Sequence, residues 1–137
     1  MFLQPKKTKY KKIQKGSLKR YNFRRQDLLD NIYRLRAQES GLISAKQLES
    51  ARQAITRKLK KQGKLWIKIF PGLPITKKPN ETRMGKGKGT VQYWVARVTG
   101  GTILFELTSI SQKKALAAFH TGSRKLSIKT KIIKKRS

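Results

Sequence analysis

Charge is the feature that most limits what this chain can fold into. Its 137 residues contain 35 Lys and Arg against 6 Asp and Glu, which gives a formal net charge of +29. Self-repulsion at this charge opposes a compact state in isolation. A dense array of phosphates would relieve it and would release counterions. We therefore expect a polyanionic partner, and nucleic acid in particular.

Several other classes of protein are disfavoured. No run approaches the roughly 20 apolar residues of a membrane-spanning helix, and no lipidation motif is present, so a membrane partner is not expected. Cysteine is absent, and the single histidine, His120, cannot build a metal cluster alone. We expect neither metal nor cofactor. The short apolar patch at the N-terminus does not fit a signal peptide, and we treat this end as mature protein.

The first 32 residues are predicted to be a basic extension, distinct from a domain at 33–137. This segment cannot bury enough apolar surface to fold alone. It should order on RNA, with its charges on phosphates and its aromatic rings stacked on bases; the alternative is a solvated, disordered tail. Its basic residues, interleaved with Tyr10, Tyr21 and Phe23, are Lys6, Lys7, Lys9, Lys11, Lys12, Lys15, Lys19, Arg20, Arg24 and Arg25.

A helix is predicted over residues 44–62. Ser44 and Gln47 have the spacing of a capping box, and Gly63 offers a C-terminal stop. One face carries apolar residues at helical spacing, namely Leu48, Ala51, Ile55 and Leu59. The opposite face carries Lys46, Arg57, Lys60 and Lys61, which we expect to meet phosphate. A merely solvated face is the alternative.

The remaining pattern predicts an α+β fold, with two helices against a mainly antiparallel sheet. Residues 64–70 alternate as a strand does. Residues 91–98 and 102–107 are predicted strands, joined by a two-residue hairpin turn at Gly100-Gly101. A second helix should begin after Ser111, bury Leu116 and Phe119, and end near Gly122. A last strand is expected over residues 127–133.

A long basic hairpin loop is predicted at residues 71–89. It has 19 residues without apolar periodicity, including three prolines, four glycines and five basic side chains. Loops of this length inside a compact domain are usually functional or disordered. Its glycines allow close backbone approach to another molecule, and its lysines, Lys77 and Lys78 among them, favour phosphate. Arg83 can clasp phosphate or stack on a base, and Met84 offers a flexible apolar contact.

Nucleotide hydrolysis and other catalysis find little support. In the loop, Lys88 is followed by Gly89 and a strand, which does not satisfy a Walker motif or a dinucleotide-binding motif. The six acids are scattered and form no evident pair for acid-base work: Asp27, Asp30, Glu39, Glu49, Glu81 and Glu106. His120 is expected to cap a helix or face RNA. Trp66 and Trp94 are expected to pack within a sheet in preference to stacking on bases.

The sequence also resembles a known family, bacterial-type large-subunit ribosomal protein sixteen. The resemblance is carried by QPKKTKY at residues 4–10, GLISAKQLESARQAITR at 41–57 and WIKIFP at 66–71. It continues in residues 76–89, ending in ETRMGKGKG, in YWVA at 93–96 and in KLSIKTK at 125–131. Two regions depart from the family pattern: residues 16–33, with Arg34 where glycine is usual, and residues 109–123.

The resemblance implies an α/β-hammerhead-like domain, without enzymatic activity, that binds large-subunit rRNA and neighbouring ribosomal proteins. It implies that the glycine-rich loop reaches the peptidyl-transferase region, where Arg83, Met84, Gly85, Lys86, Gly87 and Lys88 would help to position A-site tRNA. The rRNA-binding residues predicted from the charge pattern are Lys6, Lys7, Lys9, Tyr10, Lys11, Lys12, Lys15, Arg20, Arg24, Arg25, Lys46, Arg57, Lys60, Lys61, Lys77 and Lys78. No small-molecule substrate is expected.

The sequence disfavours two competing functions and also favours one cellular location. A nucleoid protein that compacts DNA would also be small and basic, but it would gain nothing from a long basic hairpin loop. An enzyme acting on RNA is disfavoured by the scattered acids and the single histidine. The divergent stretches and the frequent Lys and Ile favour a mitochondrial ribosome, with a plastid or the bacterial cytoplasm as alternatives.

Overall fold

The computed structural model describes residues 3–18, 32–60, 62–108 and 111–134. Regular structure in these residues begins at the end of the basic extension. In chain order the elements are β1 (Ile32–Ala37), β2 (Gly41–Ser44), α1 (Ala45–Leu59), β3 (Lys64–Ile67), β4 (Leu73–Lys77), β5 (Thr90–Val98), β6 (Ile103–Thr108), α2 (Gln112–Ser123) and β7 (Thr130–Ile133).

The strands form two antiparallel sheets. The larger sheet has the order β3-β6-β1-β7, and the smaller has the order β2-β5-β4. The two helices pack on each other and share one apolar core with both sheets. The predicted α+β class, with two helices and antiparallel strands, is confirmed. The sheet, however, is divided in two.

The predicted hairpin between β5 and β6 is wrong. β5 pairs with β2 and β4, whereas β6 pairs with β1 and β3, so the two strands belong to different sheets. The intervening glycines are held by the β1–β2 connection. The amide of Gly101 donates to the Ala37 carbonyl at 2.8 Å, and the amide of Gly100 donates to the Ser40 hydroxyl at 3.0 Å. These bonds direct the chain from one sheet to the other.

The predicted loop at residues 71–89 is too long, because it contains β4. This strand pairs with β5 from Leu73 opposite Val95 to Lys77 opposite Thr90. Its proline, Pro74, obscured the strand in the sequence. Proline is tolerated at the edge of a sheet, which is where β4 lies in the part of the chain that the structure describes. The irregular loop is therefore residues 78–89.

Helix α1 begins as predicted and ends earlier. The Ser44 hydroxyl accepts a bond from the Gln47 amide at 3.2 Å, and the Gln47 side chain accepts one from the Ser44 amide at 2.9 Å. The predicted capping box is thus confirmed. The helix stops at Leu59 because Lys60 adopts a left-handed conformation, with φ of 48°. Gly63 is not the stop.

The predicted apolar face of α1 is buried in the core, as are the principal contacts of α2. Leu48, Ala51, Ile55 and Leu59 are all buried. Helix α2 begins after Ser111, as predicted, and buries Phe119, but Leu116 is only half-buried because Ala115 and Ala118 face inward instead. The last strand, β7, is shorter than the predicted 127–133.

A tight contact between the helices gives a first stability prediction. A Cβ placed on Gly122 of α2 would lie 2.5 Å from Ile55 Cγ1 of α1. We expect Gly122→Val to lower the free energy of unfolding by about 2 kcal/mol, because overpacking a closed core forces side chains and backbone to shift. Urea unfolding checks this. Gly72→Ala is the control, since a Cβ there would meet only Phe70 at 3.9 Å. Equal stability of both variants would contradict the prediction.

Candidate nucleic-acid interface

The irregular loop at 78–89 is the tip of the β4–β5 hairpin, and its neck admits no side chain at one position. A Cβ on Gly89 would lie 2.5 Å from the Lys77 carbonyl oxygen and 2.8 Å from the Lys78 nitrogen. Both are backbone atoms, which cannot move aside without opening the hairpin. Gly89 therefore lets the two strands close directly beneath the loop.

At the tip, the backbone turns through three consecutive residues with positive φ. The values are 92° at Gly85, 52° at Lys86 and 79° at Gly87. A positive φ is unfavourable for a residue with a side chain. Glycine would adopt this backbone conformation more easily, so the presence of a lysine at position 86 carries a conformational cost. The Nζ of Lys78 donates to the Gly85 carbonyl at 2.5 Å and closes the turn.

The side chains of the tip are exposed to solvent. Arg83, Lys86 and Lys88 are exposed, and the Met84 side chain is 96% exposed. The glycines leave nothing within 4 Å of the Cβ positions of Gly85 and Gly87. The segment 83–88 thus presents three cations and a free thioether on open backbone, an arrangement suited to contact with phosphate and nucleobase.

The N-terminal extension lies against this hairpin. The Nζ of Lys12 donates to the Lys88 carbonyl at 2.6 Å, and the Nζ of Lys88 donates to the Ile13 carbonyl at 2.7 Å. These reciprocal bonds join residues 75 or more positions apart in sequence. Arg97 of β5 also donates to the Lys15 carbonyl. Two segments that are far apart in sequence therefore form one basic surface.

The described part of the extension, residues 3–18, has its basic side chains in solvent. Leu3 is buried in the core and fixes the start of the segment. The Nζ of Lys9 lies 5.6 Å from the centre of the Tyr10 ring, and that ring is itself exposed. Exposed predicted rRNA-binding residues here are Lys6, Lys7, Lys9, Tyr10, Lys11, Lys12 and Lys15. Arg20, Arg24, Arg25 and Lys61 lie outside the described residues.

The charged face of α1 divides between two regions. Lys46 at the helix start lines a cleft of about 660 Å³ together with Lys15, Tyr93 and Trp94. It therefore adjoins the surface formed by the extension and the hairpin. Arg57 and Lys60 are exposed, but Arg57 lies about 17 Å further along the helix axis from Lys46. On the hairpin, Lys77 is exposed and Lys78 half-buried.

Three of the described acidic residues have structural contacts within the fold. Buried Glu106 lies 2.8 Å from Arg34 Nε through Oε1 and 3.0 Å from Lys68 Nζ through Oε2. Hydrogen bonding from Arg52 lowers the pKa of the Glu49 carboxyl group. Glu39 accepts the Lys129 amide at 2.8 Å.

Glu81 is exposed in the loop, and Asp27 and Asp30 lie outside the described residues. The described residues contain no group of three or more His, Cys, Asp or Glu that could hold a metal ion. His120 is exposed in the last turn of α2, at neither the hairpin nor the extension.

Both tryptophans lie on strands, as predicted, but Trp66 is 44% exposed, so its ring is covered only in part. Trp94 is half-buried and lines the cleft beside Lys46. Sequence alternation assigned Trp66 to one face of its strand, but it could not show that this face is uncovered.

None of the helices in the described ranges is long and apolar enough to cross a bilayer.

This fold and surface define a class: a small α+β protein whose extension and hairpin present a basic surface suited to a polyanion. Comparison with known proteins narrows the class. The profile of the family described as ribosomal protein L16p/L10e matches residues 5–133, and the chain belongs to this family. The family is structural and not enzymatic, so the expectation of a protein without catalytic activity is confirmed.

Individual relatives agree with the family assignment over nearly the whole chain. The large ribosomal subunit protein uL16 of Erythrobacter litoralis is 50% identical over 131 residues, covering 96% of this chain and 91% of its own length. The protein of the same name from Rhizobium etli is 45% identical over 133 residues, or 97% of both chains. That of Rhizobium meliloti is 44% identical over the same extent.

Proposed function

We propose that the chain is a structural constituent of the large ribosomal subunit, where it binds rRNA and contacts neighbouring ribosomal proteins. The family assignment and the uL16 relatives support this function. The net charge of +29 supports it independently, because rRNA offers the phosphate density that such a charge requires. The division into a basic extension, 1–32, and a folded domain, 33–137, is part of this proposal.

The observation that carries the proposal is the junction between Lys12, Ile13 and Lys88. Two like-charged segments lie together there through bonds from ammonium groups to backbone carbonyls. Carbonyl acceptors do not cancel the charge, so the repulsion between the segments persists in water. Phosphates lying over both segments would remove it, and a single RNA backbone could therefore bind both at once.

We also propose that the hairpin tip contacts tRNA. The hairpin carries its charged tip beyond the sheet on two paired strands, and an exposed tip on a rigid support suits contact with a partner that arrives and leaves. We assign this role to Arg83, Met84, Gly85, Lys86, Gly87 and Lys88. In this assignment the loop helps to position A-site tRNA, while the extension and Lys46 bind rRNA permanently.

The ribosomal assignment places the chain in a ribosome, and we propose that this ribosome is mitochondrial. Frequent Lys and Ile and the divergent residues 16–33 favour a mitochondrial ribosome in the matrix. The bacterial relatives would equally suit a bacterial cytoplasm. Fractionation of source cells with an antibody to the chain tests this: recovery in mitochondrial particles supports the organelle, and recovery only in cytosolic or plastid particles contradicts it.

Sedimentation tests the proposed function itself. The protein should migrate with the large subunit in a sucrose gradient, and nuclease treatment of RNA should release it. DNase treatment serves as the control and should change nothing. Co-sedimentation with nucleoid DNA, with no signal in ribosomal particles, would instead support the DNA-compacting alternative and would refute a ribosomal role.

A further inference from the structure

A stripe of alternating basic and aromatic side chains runs along one edge of the larger sheet. Its four members, Lys64, Trp66, Lys68 and Phe70, are all exposed, and the exposed fractions of Trp66 and Phe70 are 44% and 56%. The intervening residues, Leu65, Ile67 and Ile69, pack against the core. The pattern therefore leaves one face of the segment uncovered. We name this surface the edge stripe, and it consists of Lys64, Trp66, Lys68 and Phe70.

The edge stripe is held in place by the sheet. β3 is an outer strand in the described part of the chain, with β6 as its neighbour. Trp66 lies opposite Glu106 in this pairing. The amide of Lys68 donates to the Leu104 carbonyl at 2.9 Å, so pairing continues past the end of the strand. Its aromatic rings thus stand on ordered backbone, which reduces the entropy lost on binding.

The charge of the edge stripe favours an anion. Glu106 is the neighbouring acid, and both of its oxygens are engaged, one by Arg34 and the other by Lys68. It therefore presents no free negative charge that would repel a phosphate. The Lys68 side chain is still 50% exposed, and Lys64 is exposed on the same face. The net charge of these four ionised groups is positive.

We propose that the edge stripe binds unpaired nucleotides of RNA, with bases stacked on Trp66 and Phe70 and phosphates on Lys64 and Lys68. The inference rests on the proposed ribosomal function and adds a contact site to it. Alternate residues of a strand stand about 6.6 Å apart on one face. Such a row of rings and cations suits a single strand, because every base has a face to stack and every link carries a phosphate.

An added protein strand is a poorer occupant of this edge. Lysines along an outer strand oppose pairing with another strand, because the incoming backbone must approach their charges. Stacking on exposed rings makes no demand on the strand edge itself. The edge stripe thus favours RNA over a neighbouring ribosomal protein, and the experiment below separates the two.

Tryptophan fluorescence tests the stacking directly, because the chain contains only two tryptophans. In full-length Trp94→Phe protein, Trp66 is the sole reporter. Titration with a large-subunit rRNA transcript should quench its emission, since stacking on a base quenches indole. The Trp66→Phe protein reports Trp94 instead. It reports on the cleft beside Lys46 and so distinguishes RNA bound at that cleft from RNA bound at the edge stripe.

Affinity provides the second measurement. Stacking contributes about 1–3 kcal/mol per base, so Trp66→Leu should bind the transcript roughly 5- to 140-fold more weakly. Trp66→Phe should bind within a few-fold of the unsubstituted protein, because it keeps an aromatic face. Circular dichroism establishes that both variants are folded. A salt slope unchanged by Trp66→Leu would agree with loss of a ring and not of a phosphate contact.

Three results would overturn the inference alone. If the transcript binds tightly while Trp66 emission is unchanged, the ring is not stacked, and the proposed function still stands. If Trp66→Leu and Trp66→Phe bind alike, the aromatic face is irrelevant. If Trp66→Leu binds naked rRNA normally but is lost from large-subunit particles, a protein occupies the edge stripe. Failure of the unsubstituted protein to bind the transcript would refute the proposed function as well.

Discussion

Glu106→Gln should lower the free energy of unfolding by about 3 kcal/mol, a large share of the stability of a small domain. Glu106 and Arg34 lie side by side on β6 and β1, only 7% and 8% exposed, with 2.8 Å between Oε1 and Nε. Loss of the carboxylate charge leaves the guanidinium buried without its counter-ion. Breaking such a pair from one side generally costs about 3–5 kcal/mol. Urea unfolding at neutral pH measures the effect.

Glu49→Gln is the matched control, since it removes the same charge from an ion pair at the surface. Its partner Arg52 lies at 2.6 Å in an i,i+3 arrangement on α1. Exposed pairs of this kind contribute about 0.5 kcal/mol. The pKa of Glu49 is lowered in the folded state. Its contribution is therefore present at neutral pH and fades as the pH falls through the acid range.

A combined substitution separates loss of the charge pair from loss of packing. Arg34→Met with Glu106→Leu replaces both ions by apolar groups and should recover most of the stability lost in Glu106→Gln, because neither charge remains buried. If the double variant is as unstable as Glu106→Gln, the pair is not the cause. Similar losses for Glu106→Gln and Glu49→Gln would also contradict the prediction.

Arg34 shows what the sequence alone could not indicate about one departure from the family resemblance. The resemblance would place glycine at this position, and no local pattern indicates the partner of the arginine. The structure buries it against Glu106. The two residues are 72 positions apart, and nothing local to either one indicates that β1 and β6 are neighbours. Only the sheet topology brings them together.

The elements that were predicted correctly depend on local signals. The capping box at Ser44 and the apolar face of α1 are encoded within a few residues. The predicted hairpin at Gly100-Gly101 was wrong because a turn motif does not indicate to which sheet each flanking strand belongs. Strand β4 was not predicted because Pro74 disrupts the alternation that identifies strands. The irregular loop lies within the predicted range of residues 71–89, yet its contact with the extension through Lys12 and Lys88 was not foreseeable, since no pattern connects the two segments.

In the proposed tRNA contact, Lys86→Ala with Lys88→Ala should weaken binding of tRNA to the large subunit roughly 100-fold. Two charged contacts of about 1.5 kcal/mol or more each account for that change. The dependence of log affinity on log salt should also flatten by roughly 1.4–1.8, as two phosphate contacts disappear. Filter binding of tRNA to subunits at several salt concentrations measures both quantities, and sedimentation checks that the variant is still incorporated.

The single variants should differ, because only Lys88 also holds the extension. Its Nζ bonds the Ile13 carbonyl and its own carbonyl accepts from Lys12, whereas Lys86 has an exposed side chain at the turn. We therefore expect Lys86→Ala to weaken tRNA binding alone, and Lys88→Ala also to loosen the contact between the hairpin and the extension while the protein is still incorporated. Lys113→Ala with Lys114→Ala removes the same charge from exposed positions on α2. If this control reduces tRNA affinity equally, the effect is one of overall charge, and the hairpin tip does not reach tRNA.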